Sequence, residues 1–366
     1  MLRPIKVAFA VNALDGCAYY RSLVPGRHLN DEKDFLVRFV FKPSDPAIDR
    51  ADVLVLHRQS NPERIPFIRQ QRADGQVVLH EFDDDFWDLP MDNPSSTLYT
   101  RVSDNTKNFE AICRECDGLI VSTPYLARKV AHLHPNIWVC PNAVDDAQAV
   151  RRAPSVFPEE PRRFGEFRIG WAGSDTHRGD FREFRPALAR FMRRHPEVRF
   201  VSIGADMRDQ VPEDIRWRAE FLGRTVTEPT KSPEDLDEHD LASVRYYDLL
   251  ERAMLDVAVA PLRHNEFNRS KSYVKAIEYG MLGIPAVLQG FGPYADYVKG
   301  GGVALVARSS DEWFEALEDL YGNASRRAEM AVGNLSHVLR EHVASRTRAF
   351  WATAIESALA LKETAA

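Results

Sequence analysis

The feature that most constrains this chain is an alternation of strand-like and helix-like patterns that runs, breaks, and runs again. In the first run, apolar strand patterns at residues 6–11, 35–41, 53–57, 77–82, 118–122 and 138–141 alternate with helical patterns at 18–30, 63–73, 98–115 and 124–133. Strands separated by helices form βαβ units, and these build parallel sheets. The break is RRAPSVFPEEPRRFGEF, residues 151–167, whose three prolines and many charges follow no period, so it reads as a linker. Strand patterns resume at 168–172, 199–204, 256–261, 285–289 and 302–306, with helical ones at 181–195 and 246–254, after 270, and at 310–321. A last helical stretch runs from 325 to about 361, with an interruption near Ala344. The expected class is α/β: Rossmann-like halves at 1–150 and 168–345 facing a cleft, followed by a C-terminal helix at 346–366. Ligands of open parallel sheets sit beyond the carboxyl ends of the strands, so the loops there hold the candidate site residues.

Composition sets limits on partners. No apolar run approaches the ~20 residues that a membrane span requires. Residues 1–16 read as a first strand followed at once by Asn12 and Asp15, not as a signal peptide. A net charge of -6 gives no general attraction to nucleic acid or anionic lipid. The charge is uneven, however: residues 151–200 hold 12 Arg against 7 acidic residues, so a local basic surface is expected there. Cys113 and Cys116 form a lone C-x-x-C within a helical pattern, which reads as reduced thiols in a cytoplasmic protein, not as a zinc site.

The densest cluster of candidates lies in VAVAPLRHNEFNRSKSYVKAIEYGMLGIPAVL, residues 257–288, read as strand, polar loop, helix, Gly-Pro turn and strand. Ser270 or Ser272 is the expected N-cap. Lys271, Lys275 and Glu278 then share one helical face, while Tyr273, Val274, Ile277 and Met281 make a separate apolar one. A solvated charge ladder is the default reading of such a face. Two lysines and a carboxylate at the end of a parallel strand also suit an anionic, hydroxyl-rich ligand such as a sugar nucleotide. After the strand at 168–172, the loop GWAGSDTHRGDF offers Gly173, Ser174, Thr176, His177 and Arg178, a helix start beside a cation, which favours phosphate. After the first strand, Gly16 allows close approach of backbone to ligand, and Tyr20 and Arg21 open the next helix. No G-x-G-x-x-G is present there. HEFDDDFWD, residues 80–88, places Asp83 and Asp84 at a strand end; they read as acceptor-side residues or caps in preference to metal ligands.

The segment around Lys271 and Glu278 resembles the donor-binding helix of GT-B glycosyltransferases, in particular the retaining family-4-like group. That group carries a Glu, seven residues, a second Glu, then a Gly and a Gly-x-Pro turn. Glu278, Gly280, Gly283 and Pro285 match the later part, and Ser270 stands where the first Glu would be. The resemblance covers about 168–345 clearly and 1–145 more weakly. It implies a UDP- or GDP-sugar donor, with Glu278 on the nucleotide ribose, Asn268, Ser270 and Lys271 near the transferred sugar, and Arg269 beside the donor diphosphate. It implies that Gly16, Gly173, Ser174, Thr176, His177 and Lys275 also face the donor, and that Tyr20, Arg21 and Asp83 face the acceptor. Lys271, Arg178, Ser270 and Asp84 are the catalytic candidates. No cofactor is required, and fixed cations take the place of a metal at the departing diphosphate. It also implies retention of configuration, a last helix that crosses back to the first half, and a glycan or lipid-linked acceptor at a membrane periphery. A hydroxymethylated base in DNA, or sugar-nucleotide binding without transfer, are the alternatives.

Overall fold

The computed structural model describes residues 3–11, 14–42, 44–152, 165–223 and 242–365, so most of the expected linker lies outside the described residues. The first sheet comprises β1 (Ile5–Ala10), β2 (Phe35–Val40), β3 (Val53–His57), β4 (Val77–Phe82), β5 (Gly118–Val121) and β6 (Ile137–Val139). The second comprises β7 (Phe167–Gly173), β8 (Val198–Gly204), β9 (Ala219–Phe221), β10 (Val257–Ala260), β11 (Ala286–Gln289) and β12 (Leu305–Ala307). The strand orders are β2-β1-β3-β4-β5-β6 and β12-β11-β10-β7-β8-β9, and every pairing is parallel. The class is thus α/β with two parallel sheets, as the alternation requires. Strands β3, β4, β10 and β11 are buried at every residue, because helices cover both faces.

Chain order reverses between β1 and β3 in the first sheet and between β7 and β10 in the second. At such switch points the loops diverge and leave a crevice. The second sheet is packed on one side around Trp171, Phe181, Phe184 and Trp313, and on the other around Ala276, Ile277 and Tyr279 of helix Val274–Met281. Gly280 lets that helix press on helix Ala324–Glu341: a Cβ there would stand 2.6 Å from the Asn334 amide nitrogen. Gly283, at φ +60, ends it with a backbone that other residues adopt only at a cost. The chain then returns to the first half. Val144 N donates to His342 O and Ala344 N to Val144 O, both at 2.9 Å. Helix Ala344–Ala365 follows and buries Trp351, Ala354, Ile355 and Ala358 against Val7, Phe9, Val53 and Val77.

Local structure departs from expectation in the candidate loops. The expected helix over 181–195 is a 3-10 stretch, Asp175–Arg182, followed by helix Arg185–Arg194. Neither Ser270 nor Ser272 is an N-cap. Asn265 caps a short helix, Glu266–Ser270, by accepting from Asn268 N at 2.7 Å, and helix Val274–Met281 starts after Tyr273 without a side-chain cap. Lys271 lies between the two helices with extended backbone, so it does not share a helical face with Lys275 and Glu278. Strand β9 and helix Asp146–Arg152 carry no clear pattern in the sequence.

Candidate active site

The loops at the two switch points face each other and enclose a cavity of about 360 Å³. From the first half, Gly16 and Tyr20 follow β1, Arg58 follows β3, and Asp83 and Asp84 follow β4. From the second, Ser174, Thr176 and His177 follow β7, and Lys271 and Lys275 come from the segment after β10. Nine of the residues expected at the site therefore meet: Gly16, Tyr20, Asp83, Asp84, Ser174, Thr176, His177, Lys271 and Lys275.

Ionic contacts line the cleft, and one of them joins its two walls. Lys271 Nζ stands 3.6 Å from Asp84 Oδ1 across the cleft, and Arg58 stands 3.4 Å from Asp84 Oδ2 and 4.0 Å from Asp83 Oδ1. Burial would raise the Asp84 carboxyl, but Lys271 and Arg58 hold it below its ordinary value. Asp83 is raised, by burial and by the neighbouring Asp84 charge. Two adjacent carboxyls are thus pushed apart, one favouring the ionised and one the protonated form. Among the described residues, Cys17, Asp83 and Asp84 are the only group close enough to share a metal ion, with ligand atoms within 4.8 Å of one another. Arg58 and Lys271 lie beside the two carboxyls of that group.

On the opposite wall, His177 Nδ1–H donates to Asp180 Oδ2 at 2.8 Å, which leaves Nε2 free to accept. Burial and the Lys275 charge push His177 down to about 4, so it is neutral near pH 7. Burial likewise lowers Lys275 to about 8. Its ammonium lies over the Trp171 ring and so close to Gly173 that a Cβ there would come within 2.8 Å. Glu278 is 4% exposed and lies behind this wall. Its carboxylate accepts from Tyr20 OH at 2.5 Å and Tyr246 OH at 2.9 Å, and Tyr20 is also hydrogen-bonded to Tyr247. Burial raises the Glu278 carboxyl despite Lys275 nearby.

Other expected site residues lie outside the cavity. Arg178 points outward, paired with Asp209 at 2.5 Å and Asp175 at 3.3 Å. In a 3-10 turn residues three apart eclipse, so Asp175 and Arg178 share the outer side while His177 and Asp180 share the inner one. Arg269 is exposed over the Tyr125 ring. Arg21 is fully buried: it donates to Glu81 at 2.5 Å, Cys140 O at 2.6 Å and Asn142 at 2.9 Å, and cannot reach an acceptor. Ser270 is fully buried and donates to Glu266 O at 3.1 Å. Asn268 is buried too, but its amide donates to Asp180 Oδ1 at 2.7 Å and so positions His177 indirectly. The residues that sequence reasoning missed are Arg58, Tyr246, Tyr247, and the wall of Phe86 and Tyr99. Arg58 follows a strand at a switch point and has φ +49, unusual for a residue with a side chain. Strand order would have pointed to it.

Neither a known family model nor a curated protein matches the sequence. Solved structures do match in fold. HepE of Anabaena, crystallised with UDP and glucose, is 12% identical, with TM-score 0.61 over 96% of this chain and 100% of its own. A glycosyltransferase from Rickettsia africae is 9% identical, with TM-score 0.62 over 97% and 99%. A putative UDP-N-acetylglucosamine 2-epimerase from Listeria monocytogenes is 12% identical, with TM-score 0.52 over 97% and 96%. The chain has the fold of the GT-B glycosyltransferases. No helix among the described residues is long and apolar enough to cross a membrane.

Proposed function

We propose that this protein is a glycosyltransferase that moves a sugar from a nucleoside-diphosphate sugar to a hydroxyl of a glycan or lipid-linked glycan. The observation that carries the reading is the cavity itself: it lies at both switch points, with Lys271 and Lys275 on one wall and Asp83, Asp84 and Arg58 on the other. The second-half wall takes the donor. Lys271 and Lys275 stabilise the charge that builds on the departing diphosphate, and a metal is dispensable. Glu278 receives the ribose once Tyr20 yields its hydrogen bond. UDP or GDP is the expected leaving group, as in the UDP complex of HepE.

The reaction breaks the bond from the anomeric carbon to the phosphate oxygen and forms one to the acceptor oxygen. The acceptor proton leaves on the departing phosphate in the retaining course. Asp84, ion-paired and held below its ordinary value, is a weak base, which favours retention over a course that needs a general base. His177, neutral with Nε2 free, accepts a hydrogen bond from a hydroxyl of the transferred sugar. A cytoplasmic place, peripheral to a membrane, fits a lipid-linked acceptor.

The test is a thermal-shift screen of UDP, GDP, ADP, CMP and their sugars, with and without magnesium, followed by assay of donor consumption. Stabilisation of a few kcal/mol, on the order of RT ln(1 + [L]/Kd), is expected with one nucleoside diphosphate. Stabilisation with no donor consumed under any acceptor would instead make this a binding protein. The anomer formed, read by NMR, decides between retention and inversion.

A further inference from the structure

Lys271 sits in the cleft on a stretch of chain that its own half holds weakly. Residues 271–273 belong to no helix; they form a short irregular connection between helix Glu266–Ser270 and helix Val274–Met281. Lys271 N reaches Asn268 O only at 3.3 Å. The firmer bonds on either side come from the first half. Thr123 Oγ1–H donates to Ser270 O at 2.9 Å, and Asn142 Nδ2–H donates to Ser272 Oγ at 2.8 Å. The residue before Lys271 and the residue after it are thus each tied to the facing half. The lysine between them projects to within 3.6 Å of Asp84 Oδ1.

Both donors are themselves fixed. Thr123 follows β5 and caps helix Pro124–Val130: its Oγ1 accepts from Leu126 N at 3.1 Å, which leaves its one hydrogen for Ser270. Asn142 follows β6, and its Oδ1 accepts from Arg21 Nη1 at 2.9 Å, which decides that the amide nitrogen faces Ser272. Arg21 is pinned in turn by Glu81 at 2.5 Å and Cys140 O at 2.6 Å. Thr123 and Asn142 are 8% and 2% exposed, so water competes little for either bond. Asn142 and Ser272 line the cavity, whereas Thr123 lies off it and reaches the site only through Ser270.

We propose that Thr123 and Asn142 are positioning residues for Lys271: by holding Ser270 and Ser272 they set the lysine in the cleft against Asp84. That the placed charge serves a departing diphosphate rests on the transferase reading above; the bracketing of Lys271 does not. Misplacing such a group by about 1 Å costs on the order of a hundredfold in rate. Two hydrogen bonds that fix the flanks of Lys271 therefore weigh on turnover.

The test uses Thr123→Val and Ser272→Ala in the full chain, each alone and combined with Lys271→Ala, and Thr123→Ser as the conservative variant. Thr123→Val also removes the cap of its helix, whereas Ser272→Ala breaks the Asn142 bond from the half-buried side. The first readout needs no transfer: acetylation of lysine amines by acetic anhydride, mapped by mass spectrometry. The Lys271 side chain is 17% exposed, and it should label several-fold faster in Thr123→Val and in Ser272→Ala, and at the parent's rate in Thr123→Ser. The second readout is donor consumption. Thr123→Val and Ser272→Ala should each lower kcat about tenfold with nucleoside-diphosphate affinity little changed, and Thr123→Ser should keep it. In the Lys271→Ala background neither should lower kcat further. Unchanged labelling of Lys271 in both variants overturns the proposal. So does a loss of kcat that recurs in full without Lys271, which would make Ser272 a substrate contact and Thr123 a helix cap. Faster labelling in the variants of a parent that consumes no donor leaves the positioning intact and removes only the transferase reading.

Discussion

Tyr20 and Glu278 come from opposite halves and share one hydrogen bond, which ties the two walls of the cavity together. If the carboxylate receives a ribose, Glu278→Gln should weaken nucleoside-diphosphate binding by about tenfold or more, in the range of a charge-assisted hydrogen bond. Unchanged affinity in calorimetry would show that Glu278 serves only the tyrosine network. Lys271 belongs to a different step. Lys271→Ala should lower kcat by two orders of magnitude or so while nucleotide affinity changes little, because its charge counts most as the diphosphate departs. Equal losses in both would assign it to ground-state binding. His177 titrates with a sign that can be checked. Its value in the fold, about 4, lies below the ordinary 6.5. Unfolded chains therefore bind the extra proton first as pH falls. The stability it confers is full above pH 6.5 and is lost progressively as pH falls toward 4. Urea denaturation of the parent and of His177→Asn across that window should show the parent losing more, by up to about 3 kcal/mol.

At the scale of elements, helix Ala344–Ala365 matters more than its position at the end of the chain suggests. Trp351 is 1% exposed, packs against Phe9 with ring centroids 5.8 Å apart, and closes the first sheet. Trp351→Ala should destabilise the protein by about 3–5 kcal/mol, measured by urea denaturation. A cost below about 1 kcal/mol would mean that the helix is only loosely docked. The candidate loops show why element boundaries were harder to read than elements. Asn265 outcompeted Ser270 and Ser272 as an N-cap, which moved Lys271 off the helix and into the cleft. The turn after β7 wound as a 3-10 stretch, which sent Arg178 outward and His177 inward. Both outcomes turn on local hydrogen-bond choices among several capable residues.

At the scale of the whole molecule, the cavity holds Lys275 at about 8, lowered by burial, so donor binding should depend on pH through it. Affinity for a nucleoside diphosphate is expected to fall as pH rises through 8, and Lys275→Met should remove that dependence. A flat profile in the parent would exclude Lys275 as a diphosphate ligand. The two parallel sheets were legible in the sequence because period and burial are local properties: an apolar run such as VLVLH at β3 has to be covered on both faces wherever it lies. Nine residues that line the cavity were legible for the same reason, since loops after parallel strands converge. What the chain alone left open was set by strand order and by the meeting of distant segments. Arg58 enters the site because β3 adjoins β1 where the order reverses, and Asp84 meets Lys271 only when the halves close on each other. Arg21 reads as a site residue until Glu81, 60 positions away, pairs with it in the core. Sequence determined which segments become strands and which loops face the cleft, because those follow from hydrophobic burial along the chain. Tertiary structure decided which charges meet across the cavity and which are paired in the core, because partners such as Asp84 for Lys271 and Glu81 for Arg21 are far away in sequence.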